Sequence, residues 1–219
     1  MATAHPDPSC PRARAGRPKD AAKRIAILDA ARDIFFERGV EATTIEDVAA
    51  RAGVSKVTVY GHFGDKLTLF EATVRHAMAF MEQGLIGAEP KGQSLPECLE
   101  AFGGALLRFL TSPKLVAFDR MLGGEASRHP ELARRFFEAG PAYCLGKLAR
   151  LIAAGHERGE IEAPNPSQAA EDLMGLWYGM LHKKIGMSFM PPPTPAEIDA
   201  RVAHGVRLFM RAYAPGRPG

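Results

Sequence analysis

Apolar residues recur along this chain at helical spacing almost from end to end. In a first segment from about Lys19 to Arg38, Ile27, Ala30, Ala31, Ile34 and Phe35 stand at i, i+3, i+4, i+7 and i+8, one face of a helix. Gly39 predicts its stop. Thr44 with Asp47 three residues on is a capping box opening a short helix, with Ile45, Val48, Ala49 and Ala52 inward. Gly53 breaks that helix, and Ser55 caps a third that ends near Phe63. Asp65 opens a longer fourth helix with Leu67, Phe70, Val74, Ala77 and Met81 inward, and Gly87 to Gln93 reads as a loop.

The pattern continues beyond that loop. Ser94 and Glu97 cap a helix carrying Leu99, Phe102, Leu106 and Phe109. Ser112-Pro113 opens one through about Gly123, and Pro130 another. Gly140-Pro141 predicts a kink or split, because proline removes a donor and clashes with the preceding turn. The next piece runs from Tyr143 to about Glu157. Asn165-Pro166 starts a helix expected to reach about Met187, Pro191-Pro192-Pro193 forbids helix, and Thr194-Pro195 with Glu197 opens the last, through Tyr213. The expected fold class is all-α. Its expected parts are a disordered arm (1–18), a three-helix domain (19–65) and a larger helical domain (66–219).

Two short helices joined by a glycine turn make a helix-turn-helix. Ala49 and Ala52 are small enough for the helices to cross closely, and Gly53 tolerates positive φ. Val54, Val59 and Phe63 can anchor the second helix, which leaves Lys56, Val57, Thr58, Tyr60, Gly61 and His62 as a groove-reading surface. Ile25 to Phe70 resembles the N-terminal domain of the tetracycline-repressor (TetR) family. The resemblance rests on Ala30-Ala31, Phe35, Gly39, Thr43-Thr44, Ile45, Ala49, Ala52-Gly53-Val54-Ser55, Thr58, Tyr60, His62-Phe63, Lys66 and Leu69-Phe70. Ala126 to Leu132, Phe136-Phe137 and Gly140-Pro141 look like the C-terminal domain of a TetR branch that includes regulators of multidrug efflux.

The resemblance implies a DNA-binding regulator, by family habit a repressor released from a palindromic operator by a small hydrophobic effector. A DNA-binding regulator without small-molecule input, controlled by a protein partner or architectural, is the alternative; a cavity in the second domain would discriminate. By the same resemblance Thr44, Tyr60, His62 and Lys66 would contact the phosphate backbone. Ser55, Lys56, Val57, Thr58 and Gly61 complete the DNA-facing set, with Val57 suited to a thymine methyl and Lys56 to guanine. Gly61 costs about 1 kcal/mol of helix stability against alanine; it serves close approach to DNA or is tolerated drift.

Charge refines this picture. The net charge of +3 is mild, but Met1 to Arg24 holds six basic side chains against two acidic ones. Gly16-Arg17-Pro18 within that arm resembles a minor-groove-binding hook centred on Arg17; the competing reading is a solvated tail adding non-specific affinity. Cys10, Cys98 and Cys144 are far apart and suggest neither disulfides nor zinc, which fits a cytoplasmic location. The N-terminus lacks the apolar stretch of a secretory signal, and no apolar run approaches the roughly 18 residues of a membrane span. No HExxH, GxSxG, phosphate-loop or dinucleotide motif points to an enzyme, and no cofactor or metal site is expected.

In the family the second domain binds the effector and carries the dimer interface. Candidate pocket residues are Phe102, Leu106, Phe109, Phe118, Met121, Phe137, Met174, Trp177 and Tyr178, with Arg120, Glu125 and His182 as polar contacts. Leu173, Leu176 and Met180 on one late helix, and Val202, Val206 and Phe209 on the last, are candidates for a four-helix homodimer interface. The competing reading buries these stripes in the subunit's own core. A dimer would set two reading helices about 34–36 Å apart, matching successive major grooves of double-stranded DNA.

Overall fold

The computed structural model describes residues 17–86 and 94–216, and among these it contains eleven helices and no strand. The expected loop at 87–93 and most of the basic arm lie outside the described residues. α1 (Arg17–Arg38) begins two residues before the expected start and ends at Gly39, whose φ of +81° suits glycine. α2 (Ile45–Ala52) opens with the expected Thr44–Asp47 capping box and closes on Gly53 at φ +66°. The Gly53 N–H donates to the Ala49 and Ala50 carbonyls, and the Val54 N–H also donates to that of Ala49. α3 (Lys56–Phe63) is capped by Ser55, and α4 (Lys66–Ile86) follows a turn at Gly64.

The second half contains α5 (Leu95–Leu110), α6 (Pro113–Ala126), α7 (Pro130–Ala139), α8 (Pro141–Glu157), α9 (Pro166–Tyr178), α10 (Leu181–Gly186) and α11 (Pro195–Ala212). Gly140-Pro141 splits α7 from α8, as the missing proline donor demands. One expectation fails here. The single helix expected from Pro166 to about Met187 is two, α9 and α10. Gly179, at φ +35° and ψ −129°, leaves the helical region between them. The break frees the Trp177 carbonyl, and Arg201 Nε of α11 donates to it. A tertiary partner thus satisfies the acceptor that the break exposes.

Two apolar cores result. The first joins α1–α4 to α6 and α7 through Ile34, Phe35, Val59, Phe70, Phe118 and Leu132. The second joins α5, α8, α9 and α11 through Leu99, Leu148, Leu173, Trp177 and Phe209. Helix α4 serves both, with Leu69 and Phe70 in the first and Met78 and Met81 in the second. Trp177 is fully buried between two glycines: a Cβ at Gly103 of α5 would lie 2.7 Å from the indole, and one at Gly205 of α11 2.6 Å. Its Nε1 donates to the Val202 carbonyl at 3.3 Å. Only backbones without side chains allow helices to close on so large a ring.

Candidate functional site

The reading head is built on α2 and α3. Val59 and Phe63 of α3 are buried against Ile45, Val48 and Ala49 of α2, which fixes how α3 rotates about its axis. That rotation turns Lys56, Val57, Tyr60 and Gly61 outward, while Thr58 and His62 are half-buried. Val57 is 79% exposed, an apolar side chain with nothing of its own chain to cover it. A Cβ at Gly61 would meet nothing within 4 Å.

The polar groups of this face are already ordered. Ser55 accepts from Thr58 N–H at 3.2 Å, and the two hydroxyls lie 2.8 Å apart. The Thr44 hydroxyl donates to Asp47 at 2.8 Å, and this bond holds the Asp47 carboxyl below its usual range. Lys56 Nζ pairs with Glu46 of α2 and sits 5.7 Å from the Tyr60 ring centroid. Their hydrogen bond lowers the Glu46 pKa and raises that of Lys56. His62 Nε2 approaches Asp20 of α1 at 3.3 Å.

One of the expected DNA contacts is engaged within the domain. Lys66 Nζ donates to the Glu41 and Thr43 carbonyls, each at 2.9 Å, and so ties the start of α4 to the turn before α2. Its charge is directed into the domain. Arg17 lies in the first turn of α1, and the rest of its arm lies outside the described residues.

Between the two cores lies a cavity of about 720 Å³, within the usual size of small-molecule sites. Among the expected pocket residues, Leu106, Phe109, Phe118, Phe137, Met174 and Tyr178 line it. Phe102, Met121 and Trp177 do not. Phe102 and Trp177 belong to the second core, and Met121 packs on the first. Of the polar candidates, His182 is at the wall, with Nδ1 2.8 Å from the Tyr178 hydroxyl. Arg120 instead donates to the Gly186 and Ile185 carbonyls, both at 2.8 Å, and to Ser188.

Glu125 also has another role. Buried at the end of α6, it accepts from the Val40 N–H at 3.0 Å and the Glu41 N–H at 3.3 Å, in the turn between α1 and α2. A Cβ at Gly39 would collide with its carboxylate. Outside it, Arg128 pairs with Glu41 at 2.7 Å. Periodicity could not find this bond, because its partners lie some 85 positions apart.

Sequence reasoning also missed the share of the reading head in the cavity wall. Phe35 and Phe36 of α1, and Phe70, Thr73 and Val74 of α4, line it. Phe35 and Phe70 meet edge-on at 5.4 Å, Phe36 and Phe118 lie 5.0 Å apart, and Phe70, Phe118 and Phe136 lie within 6.3 Å of one another. One aromatic layer is thus both cavity floor and domain core. The phenylalanines repeat at helical spacing, which signals burial but not a cavity.

The expected dimer stripes divide. Leu173, Val202, Val206 and Phe209 are buried in the subunit's own second core, so they are corrected from interface to core. Leu176 and Met180 remain exposed, at 39% and 65%, with Leu208 of α11. The sequence stripe was a face too wide: its centre packs inward and its edge looks out. Among the described residues no group of side chains could hold a metal ion, and no helix is long and apolar enough to cross a membrane.

Comparison with known proteins agrees with this architecture. Residues 27–73 match the model of bacterial regulatory proteins of the tetR family, and residues 97–215 match that of the AefR-like transcriptional repressor C-terminal domain. The uncharacterized HTH-type transcriptional regulator YdeS of Bacillus subtilis is 27% identical over 173 residues, 78% of this chain and 81% of that protein. The solved structure of a TetR-family regulator from Mesorhizobium loti superposes with a TM-score of 0.74 at 26% identity, covering 90% of this chain and all of the other. The flavonoid-responsive regulator FrrA superposes with a TM-score of 0.70 at 28% identity, over the same shares. A reading head on α2–α3, joined through α4 to a helical domain that the second family model spans, identifies the chain as a member of the TetR family of DNA-binding transcriptional regulators, with a C-terminal domain of the AefR-like repressor type.

Proposed function

We propose that this protein is a homodimeric repressor that leaves a palindromic operator when a small hydrophobic molecule enters the cavity. The observation that carries this reading is the shared wall: Phe35 and Phe36 of α1 and Phe70 of α4 belong to both the cavity and the core of the reading head. A molecule that displaces Phe118 or Phe136 pushes on rings packed against α1 and α4. Close-packed interiors transmit such displacement because they hold little free volume. The Glu125 bond gives a second link, from α6 to the turn before α2. The effector must favour the arrangement in which the two α3 helices no longer match successive grooves, since equal affinity for both states shifts nothing.

In this reading residues 19–65 form the head and 66–219 the effector and dimer domain, and the protein works in the cytoplasm, where its operator is. Val57, Tyr60, Gly61 and Lys56 face the groove. Ser55 and Thr44 present helix N-termini to phosphates. The exposed edge formed by Leu176, Met180 and Leu208 supports a two-fold contact across α9 and α11. The cavity favours this reading over a regulator without small-molecule input, for which a filled second domain would suffice. FrrA is named for its response to flavonoids, and a flat aromatic body suits a wall of phenylalanines.

The test is fluorescence anisotropy with a labelled duplex from upstream of the protein's own reading frame, beside a shuffled duplex, at two salt concentrations. Selective binding of two or four chains per site, reversed by an apolar aromatic compound, is expected. Equal and steeply salt-dependent binding to both duplexes, with no compound effect, overturns the proposal.

A further inference from the structure

The cavity wall is mostly apolar, and its charged side chains among the described residues are Arg32, Asp119 and Glu171. Asp119 of α6 and Glu171 of α9 both face the cavity. Asp119 is half-buried and, among the described residues, makes no hydrogen bond or ion pair. Burial pushes its carboxyl above the usual range, against a weaker opposing pull from His182. Among the described residues the only arginine or lysine on the cavity wall is Arg32 of α1, and it is bound to Asp29 at 3.0 Å and Asp33 at 3.1 Å. On the far side, Asp119 borders a smaller cavity with Arg120 and Lys183. Arg120 is committed to the carbonyls of Gly186 and Ile185, and neither cation pairs with Asp119.

His182 and Tyr178 also line the wall. Burial, and then the charge of Asp119, push the Tyr178 phenol up to about 12, so it keeps its proton. The hydroxyl lies 2.8 Å from His182 Nδ1, within hydrogen-bond distance. The wall therefore carries two carboxylates, a phenol and an imidazole, with Arg32 and Thr73, among side chains that are otherwise apolar. A carboxylate removed from water without a cation is costly, and a positive charge brought beside it relieves that cost.

We infer that the effector is a hydrophobic organic cation, its aromatic body among Phe70, Phe118 and Phe136 and its single positive group beside Asp119, with Glu171 as the outer carboxylate. This rests on the effector reading above and narrows it to a chemical class. An anionic effector would meet both carboxylates and, among the described residues, no unpaired arginine or lysine on this wall. A neutral one would fill the chamber and leave Asp119 as it is.

The test uses one fluorophore in three charge states: the trimethylammonium derivative of diphenylhexatriene, diphenylhexatriene itself, and its propionate. Each is titrated into the full-length protein by fluorescence, and then into the protein–operator complex. The cation is expected to bind about tenfold tighter than the neutral parent, with the propionate weakest, and to release DNA at the lowest concentration. Asp119→Asn should remove most of the cation's advantage while leaving the neutral probe's affinity unchanged. Glu171→Gln, at an exposed position, should remove a smaller part and guards against misfolding of the first variant. If the neutral probe binds and releases DNA as well as the cation, or the preference survives both substitutions, the charge inference is wrong and the effector reading stands. If none of the three binds, both fall.

Discussion

Replacing Glu125 by alanine removes the acceptor of two backbone N–H groups that join α6 to the turn between α1 and α2. The Val40 N–H is buried and has no water to turn to, whereas the Glu41 N–H is only partly buried and can be hydrated. A hydrogen bond to a charged acceptor is worth about 1.5–3 kcal/mol, and an orphaned buried donor costs about 1–3 kcal/mol. With one donor stranded and the other rescued by solvent, the loss is roughly 2–3 kcal/mol. For a chain of this size each kcal/mol moves the melting midpoint by about 2–4 °C, so a fall of roughly 4–12 °C is expected. Glu125→Gln keeps a neutral acceptor oxygen and should fall between parent and alanine. The assay is differential scanning calorimetry, followed by operator release by the trimethylammonium probe. If the bond links effector domain to reading head, the alanine variant still binds DNA but needs more probe to leave it. A midpoint within about 1 °C of the parent, together with unchanged release, would refute the assignment of Glu125 as a strut.

Other expectations follow from the same geometry. Gly61→Ala places its methyl in open space, so the fold should gain about 1 kcal/mol from helix propensity; a melt that rises while operator affinity falls would show that DNA approaches the backbone there, and unchanged affinity would make Gly61 incidental. Glu46→Gln frees Lys56 from its ion pair and removes a negative charge beside the reading face, so operator affinity measured by anisotropy should rise several-fold at low salt and converge with the parent at high salt. Leu176→Arg with Met180→Arg puts charge on the exposed edge of α9 without touching the core. Light scattering should then report monomers and operator binding should be lost; an intact dimer would place the interface elsewhere.

The helices and the reading head were legible in the sequence because their causes are local. A capping box spans four residues, a glycine stop depends on one φ, and an amphipathic stripe repeats within two turns, so Thr44–Asp47, Gly53 and the pair Val59–Phe63 sufficed to place α2 and α3. The split at Gly140-Pro141 was equally local. The break at Gly179 was not, because a lone glycine in an apolar stripe is compatible with helix. What made the break tolerable was Arg201, more than twenty positions away, taking the Trp177 carbonyl.

The tertiary structure alone decided which apolar residues became core, cavity or exposed edge. Hydrophobicity makes Trp177, Phe118 and Leu176 candidates for any of the three, and helical spacing cannot separate them. Trp177 became core because Gly103 and Gly205 let α5 and α11 close on it. Phe118 became cavity wall because α1, α4, α6 and α7 converge there around space they do not fill. Leu176 stayed outside at the edge of a stripe whose centre faces inward. Asp119 and Glu125, six positions apart within α6, looked alike as acidic residues of an amphipathic helix. One faces a greasy chamber and pairs with no described side chain, and the other holds the backbone of a turn some 85 residues earlier in the chain. Local sequence determines which helices form and where they stop; only the packing of distant segments determines what each side chain meets, because burial and hydrogen bonding depend on neighbours brought together by the fold.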